Sequence, residues 1–114
     1  MNEYEFQLLL NKINEYLATK KTFIENPFRI TEIKKAATTA HELFPDAKIC
    51  INEDPLQTGS LYLHIELTDI NISDEREINF FAELITASNN FEIYAHNDGY
   101  IVFALLFQNA FVKI

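Results

Sequence analysis

The chain has 114 residues, of which 48% are hydrophobic and 13% aromatic. This is enough apolar surface for one core, and it excludes a disordered chain or two independent domains. Its net charge of −8 comes entirely from residues 49–114, and this excess of carboxylates would repel nucleic acid and anionic membranes. We therefore expect a single domain over residues 1–114 that binds neither.

Two helices are predicted before residue 46. The first has apolar residues at helical spacing, with Glu3 and Glu5 at its start and Lys20 and Lys21 at its end, where each sign of charge suits the helix dipole. Its apolar stripe consists of Phe6, Leu9, Leu10, Ile13 and Leu17. Residues 22–26 are interpreted as a connection.

The second helix is predicted to begin at Asn26-Pro27, a capping residue followed by proline at the first helical position, and to end at Pro45. Thr31 offers a later alternative start. The three alanines on its inner face would let a neighbouring element approach closely. This face is predicted to consist of Ile33, Ala36, Ala37, Ala40 and Phe44.

After Asp46 the apolar residues change from the helical period to a period of two, which predicts strands. The loop at residues 53–60 contains Pro55 and Gly59, so a long hairpin is the simplest connection between two strands. Each strand has one apolar and one mixed polar face, as in an antiparallel sheet that is covered on one side. The apolar positions are Ala47, Ile49 and Ile51 in the first strand, and Leu61, Leu63, Ile65 and Leu67 in the second.

A third helix is predicted to be capped by Ser73, with Asp74 and Glu75 in its first turn. Asn89-Asn90 would end it in a left-handed conformation. Two strands then follow, at residues 91–96 and 100–108. The inner stripe of the helix is expected to be Ile78, Phe81, Ala82 and Ile85.

The turn at residues 97–99 sets the register of the second hairpin. A two-residue loop would place Ile93 opposite Ala104, whereas a three-residue loop with Gly99 in the left-handed region places Ile93 opposite Phe103. The second register keeps the apolar residues on one face and is preferred. The sequence thus predicts an α+β fold of two layers in the order ααββαββ, with helices packed on a four-stranded, mainly antiparallel sheet.

The low numbers of cysteine and glycine exclude several classes of site. Cys50 is the only cysteine, so neither an intrachain disulfide nor a thiolate zinc cage can form. Gly59 and Gly99 are isolated, which excludes a glycine-rich phosphate loop. The sequence from Met1 to Glu5 is acidic where a secretory signal would be basic, so we expect a cytoplasmic protein.

Two weak sets of chemical groups can be assembled on the strands. Cys50, His64 and Glu66 would share one face of the first hairpin, as a nucleophile beside a base would require. His64 and Glu66 together with His96 form a ligand set that suits an open metal site. Polar residues on an exposed strand face and a half-buried cysteine are more common explanations. We therefore expect no catalytic activity, no metal and no cofactor, and a small hydrolase or metalloenzyme is the least favoured interpretation.

The second face of the predicted sheet is rich in tyrosine and histidine, which are typical of protein interfaces because they can be half buried and half wet. The leading hypothesis is a non-catalytic protein-binding or regulatory domain that acts as a homodimer through this face. The alternative is that the first two helices cover the face and bury it within the monomer. The candidate binding residues are Tyr62, His64, Tyr94, His96, Tyr100 and Val102.

A second functional hypothesis uses the acidic half of the chain. It is an inhibitor or immunity-type protein that binds a basic protein partner, with residues such as Glu53, Asp54 and Asp74 steering the encounter. The segment from Glu77 to Leu106, a helix followed by an acidic hairpin of aromatic strands, is loosely similar to the small acidic chaperone domains of type III secretion. That resemblance covers about a quarter of the chain and implies a dimer that binds an unfolded stretch of a partner protein.

Overall fold

Three helices and six strands occur in the part of the chain that the structure, a computed structural model, describes: residues 1–19, 21–68, 74–96 and 98–113, without the side chain of Leu17. In chain order the elements are α1 (Glu3–Thr19), β1 (Phe23–Glu25), α2 (Pro27–Leu43), β2 (Lys48–Glu53), β3 (Leu61–Leu67), α3 (Glu75–Ala87), β4 (Asn90–Ala95), β5 (Ile101–Phe107) and β6 (Phe111–Lys113). No helix in the described residues is long and apolar enough to cross a membrane.

The predicted fold class is confirmed. Four strands form one sheet in the order β2-β3-β5-β4, every neighbouring pair is antiparallel, and the helices pack against it. The order of these seven elements is the predicted ααββαββ. β5 therefore lies in the sheet interior, between β3 and β4.

The two shortest strands were not predicted. β1 and β6 pair with each other in a separate two-stranded sheet, in which Ile24 lies opposite Val112. The interpretation of residues 22–26 as a connection is therefore wrong. Three residues are too few to show a period of two, and the partner strand lies at the other end of the chain.

One cluster of apolar side chains joins all three helices to the same face of the four-stranded sheet. Its fully buried members include Ile13 from α1, Ile33 from α2, Leu63 from β3 and Leu105 from β5. The predicted apolar face of the first hairpin lies in this cluster. Its residues are Ala47, Ile49, Ile51, Leu61, Leu63, Ile65 and Leu67.

The first two helices begin at caps that their sequences encode. In α1 the Asn2 side chain accepts the Glu5 N–H at 2.8 Å, while Glu5 accepts the Asn2 N–H at 3.3 Å, and this reciprocal pair is a capping box. In α2 Asn26 is the cap and Pro27 the first helical residue, as predicted. Lys20, assigned to the end of the first helix, lies outside the described residues.

The inner face of α3 differs from the prediction. Phe80 and Leu84 are buried, whereas Ile78 and Ile85 are 48% and 39% exposed and Ala82 is also exposed. Of the predicted stripe only Phe81 faces the sheet, where its ring stacks on Phe103 with centroids 4.5 Å apart. The expected stripe is therefore wrong, because α3 has apolar residues on two adjacent flanks and the sheet covers only one.

The ends of α3 also differ from expectation. Its N-cap is Asp74, whose side chain accepts the Arg76 N–H at 2.9 Å, and Ser73 lies outside the described residues. At the other end Ser88 is extended, and neither Asn89 nor Asn90 has the left-handed conformation predicted for them.

The register of the second hairpin is the predicted one. Ile93 lies opposite Phe103 and Ala95 opposite Ile101, and Gly99 has φ +90°. The turn closes with the His96 N–H donating to the Tyr100 carbonyl at 2.8 Å. Asn97 lies outside the described residues.

Candidate interaction surface

The helices cover one face of the sheet, and the side chains between the core positions form the other. Along β3 the buried residues alternate strictly with the half-buried Tyr62, His64 and Glu66. Val102 and Ala104 of β5 are absent from the cluster that the helices build with the sheet. We call this second side the open face. In the described residues it consists of Lys48, Cys50, Asn52, Tyr62, His64, Glu66, Asn90, Glu92, Tyr94, His96, Tyr100, Val102, Ala104 and Leu106.

The centre of the open face is an apolar strip along β5. Its side chains, Val102, Ala104 and Leu106, are only 3%, 6% and 7% exposed. The larger residues opposite them on β3 and β4 shield them: Glu66 and Tyr94 flank Val102, His64 and Glu92 flank Ala104, and Tyr62 flanks Leu106. The result is a shallow apolar floor inside a rim of aromatic, imidazole and carboxylate groups.

All six predicted binding residues lie on the open face, as two stacked pairs with a third pair between them. Tyr62 and His64 stack on β3 with ring centroids 5.7 Å apart, and His96 and Tyr100 stack at the hairpin end with centroids 4.6 Å apart. Tyr94 and Val102 lie opposite each other between the stacked pairs. The register places Tyr62 opposite Leu106 and His64 opposite Ala104, six and four positions along β5 from Tyr100, so about 13–20 Å separates the two stacked pairs.

The hairpin end of the open face is electronegative. The Asp98 N–H donates to His96 Nδ1 at 3.2 Å, and an Asp98 carboxylate oxygen lies 3.5 Å from the same nitrogen. Burial raises the pKa of the Tyr100 phenol, and the nearby carboxylates of Glu66 and Asp98 raise it further, while the ammonium group of Lys48 offsets part of this rise. A cationic group on a partner would therefore be attracted to this end.

The structure places the two sets considered for chemistry differently: Cys50, His64 and Glu66 share one face of the first hairpin, as predicted, whereas His96 lies far from His64. Cys50 and His64 are cross-strand neighbours, yet no hydrogen bond joins their side chains in the described structure. His64 lies opposite Ala104, four positions along β5 from the residue opposite His96, so about 13 Å separates the two histidines along the strand. The described residues contain no group of three metal-binding side chains.

A groove lies between α2 and α3, away from the open face. This groove has a volume of about 550 Å³, with Lys35 on one wall and Glu83 on the other. At one end Arg29 bonds both Glu32 and the Ala87 carbonyl, each at 3.1 Å. The first contact is an ion pair within α2 and the second joins α2 to the end of α3, so Arg29 serves to hold the two helices together.

One acidic residue of the inhibitor hypothesis has a structural role. Asp54 is only 6% exposed, because its side chain accepts the Leu56 N–H at 3.0 Å and its N–H donates to the Ser60 carbonyl at 2.8 Å. It therefore holds the turn after β2 and is too buried to steer a partner.

Sequence reasoning missed a second surface with exposed apolar side chains. Phe91 and Ile93 of β4 are 42% and 50% exposed, beside the exposed Ile78 and Ile85 of α3. The signal was present in α3, where Phe80 and Leu84 compete with Ile78 and Ile85 for the inner face. The sequence alone did not identify β4 as an edge strand.

Comparisons of the chain with protein-family models, with curated proteins and with solved structures find no match. The loose resemblance to type III secretion chaperones therefore gains no support from them.

Proposed function

We propose that the chain is a non-catalytic protein-binding domain whose open face receives a partner protein. The observation that carries this proposal is the position of the helices, since α1, α2 and α3 all contribute to the cluster on the opposite face. The sequence left open whether the first two helices cover the second face. With the helices on one side, the tyrosine and histidine side chains are available to a partner.

The chemistry of the open face suits a protein more than a small molecule. Its floor is apolar and shallow, and its rim is made of Tyr62, His64, Tyr94 and His96, the residue types that combine an apolar body with a polar tip. Small-molecule sites are normally concave and enclosed. A partner would pack its apolar residues against the rings of the rim, above the shielded β5 strip, and hydrogen-bond to their polar tips.

The charges of the open face favour a partner with basic groups. Glu66, Glu92 and Asp98 contribute three carboxylates around the rim, against the one ammonium group of Lys48, which lies opposite Glu66, in a chain of net charge −8. A second copy docked face to face would bring like charges together, so self-association through this face, expected from the sequence, is the less favourable use. The acidic surface would accelerate the encounter with a basic protein, and salt would reduce that effect.

A matched pair of tyrosine variants tests the proposal. Tyr62→Lys places a positive charge on the open face, whereas Tyr4→Lys makes the same change on α1, where the side chain is 73% exposed and away from the sheet. Wild type and both variants would be used to capture proteins from a lysate of the source cells at low and moderate salt, with quantification by mass spectrometry and circular dichroism to confirm folding.

We expect at least one protein to be retained by wild type and by Tyr4→Lys, and about tenfold less by Tyr62→Lys, with weaker retention at moderate salt. The proposal is wrong if no retained protein distinguishes the two variants, since binding would then not use the open face.

A further inference from the structure

Exposed apolar side chains converge at the β4 edge of the sheet. Ile78 and Ile85 of α3 are 48% and 39% exposed, and Phe91 and Ile93 of β4 are 42% and 50% exposed. Large apolar residues are usually scattered singly on a protein surface, and a contiguous group marks a contact site. We call these four residues the edge patch.

The packing of α3 shows why the four residues are neighbours. Phe81 stacks on Phe103, which lies opposite Ile93 in the sheet, so α3 runs above β5 and beside β4. The opposite flank of α3, with Glu83, faces the groove shared with α2. Ile78 and Ile85 are therefore on the flank that overhangs β4.

The backbone of β4 points its free hydrogen-bonding groups in the same direction. Backbone groups of alternate residues in an antiparallel strand point to opposite neighbours. The His96 N–H bonds to the Tyr100 carbonyl next to β5, so the backbone groups of Tyr94 and Glu92 also point toward β5. The backbone N–H and C=O groups of Phe91, Ile93 and Ala95 therefore point away from the sheet. The Phe91 N–H accordingly bonds to the Asn90 side chain at 2.9 Å. Among the described residues, none bonds to the outward backbone groups of Ile93 and Ala95.

The other edge of the same sheet is protected. The Asp54 N–H donates to the Ser60 carbonyl, which by the same alternation makes Ile51 of β2 face outward. The Tyr16 hydroxyl of α1 donates to the Ile51 carbonyl at 3.2 Å, and α1 contacts β2 along this edge. Proteins normally blunt exposed edge strands with charges, proline or a covering element. β2 has its cover, whereas β4 has one charge, Glu92, and no proline.

We propose that β4 pairs antiparallel with β4 of a second copy of this chain, about a two-fold axis at Ile93. This goes beyond the proposed function and uses different residues. In this register Ile93 lies opposite Ile93 of the second copy, and Phe91 lies opposite its Ala95. All three are outward-facing residues, so the pairing forms about four backbone hydrogen bonds directly, and two more once the Phe91 N–H of each copy leaves the Asn90 side chain. The helices of both copies stay on one side of an eight-stranded sheet, where the two edge patches meet.

The charges near β4 favour both this strand register and a second copy of the chain as the partner. Centring the pair on Ile93 places Glu92 opposite Tyr94 of the second copy. A register centred on Glu92 would instead place the Glu92 carboxylates of the two copies opposite each other, and it would contain fewer hydrogen-bonded residue pairs. Two chains of net charge −8 repel each other, and an interface with little charge adds least to that repulsion. The edge patch is such a surface, and it is self-complementary, as a two-fold interface requires.

Two isoleucines of equal exposure make the test. Ile93→Lys places two ammonium groups on the two-fold axis, whereas Ile24→Lys makes the same change in β1, where Ile24 is 51% exposed against 50% for Ile93. Sedimentation equilibrium would be run on full-length wild type and both variants from low to high micromolar concentration. We expect wild type and Ile24→Lys to dimerise reversibly, and the dissociation constant of Ile93→Lys to rise about a hundredfold or more.

Either of two results overturns the proposal: wild type that stays monomeric at high micromolar concentration, or a dimer equally stable in both variants. Circular dichroism shows whether Ile93→Lys folds, and if it does not, Ile85→Lys decides, since the half-exposed Ile85 belongs to the same patch on α3. Tyr62 lies on the open face and outside the edge patch, so Tyr62→Lys should leave the dimer intact. The failure of the dimer proposal can therefore be told apart from the failure of the proposed partner binding.

The register is tested by oxidation of single cysteines in a Cys50→Ser background. Across the axis the Cα atoms of Ile93→Cys would lie about 5.5 Å apart, within the range of a disulfide. Those of Phe91→Cys would be about 13 Å apart along the strand, too far to bridge. A covalent dimer of the first variant alone supports the register, and one of the second variant alone overturns it.

Discussion

Alanine substitution at the two glycines should separate backbone strain from steric overlap. Gly59 and Gly99 have φ of +91° and +90°, so an alanine would suffer the same conformational strain at both, about 1–3 kcal/mol. At Gly99 no atom lies within 4 Å of a built Cβ. At Gly59 the Cβ would overlap the carbonyl oxygen of Phe111 in β6 and lie 3.4 Å from the Phe23 ring in β1.

Because the overlapped atom of Phe111 belongs to the backbone, it cannot rotate away, and the same stretch donates a hydrogen bond of 2.9 Å from the Phe111 N–H to the Gly59 carbonyl. Overpacking of this kind adds about 1–3 kcal/mol. Gly59→Ala should therefore lose about 2 kcal/mol more stability than Gly99→Ala, and the reduced unfolded-state entropy cancels in the comparison.

The assay is urea unfolding followed by circular dichroism at one protein concentration, with both variants expected to keep the wild-type slope. Equal losses of unfolding free energy at the two positions would refute the close approach of β6 to the β2–β3 loop, and with it the placement of the small sheet.

Three further predictions concern the helices. Leu84→Ala should cost about 2–5 kcal/mol of unfolding free energy, whereas Ile85→Ala should cost less than about 1.5 kcal/mol, and equal losses would contradict the orientation of α3. Asn26→Ala removes the cap of α2 together with a hydrogen bond to the β5–β6 turn, so chemical unfolding should show a loss of about 1–2 kcal/mol, and an unchanged midpoint would count against this role. The hydrogen bond from the Arg76 side chain holds the pKa of Asp74 below its ordinary range. The ionised cap therefore stabilises the fold at a pH above the ordinary pKa of an aspartate, and this stabilisation is lost as the pH falls through the lowered pKa. The stability difference between wild type and Asp74→Asn, measured by urea unfolding, should therefore shrink from about pH 5 to about pH 2, and a constant difference would exclude this charge effect.

The parts of the fold that the sequence predicts are those in which local rules agree. In the second hairpin the period of two and the turn chemistry of Gly99 both favour the register with Ile93 opposite Phe103, and the structure has that register. In α3 the local pattern is ambiguous, since Phe80 and Leu84 form as good a stripe as Ile78 and Ile85. Only the position of Phe103 beneath the helix decides between them.

The candidate site could be predicted only in part, for a related reason. Alternation along a strand is enough to place Tyr62, His64 and Tyr94 on one face of a sheet. It does not show which face the helices cover, because that depends on how residues distant in sequence pack. Nor does it show that β4 is an edge, because the strand order places β5, the last strand of the four in sequence, between β3 and β4. The edge patch therefore became visible only from the topology.

The central claim, that the face opposite the helices is accessible, can be measured through the single thiol of the chain. Cys50 is half-buried on the open face, while its neighbour Ile51 is fully buried against the helices. Native wild type should react completely with a thiol reagent at neutral pH, at a rate within about two orders of magnitude of the urea-unfolded chain. A Cys50→Ser, Ile51→Cys variant, with the thiol moved one residue to the helix side, should react only as fast as the protein unfolds. If native Cys50 is as protected as the cysteine at position 51, the open face is covered and the account is contradicted.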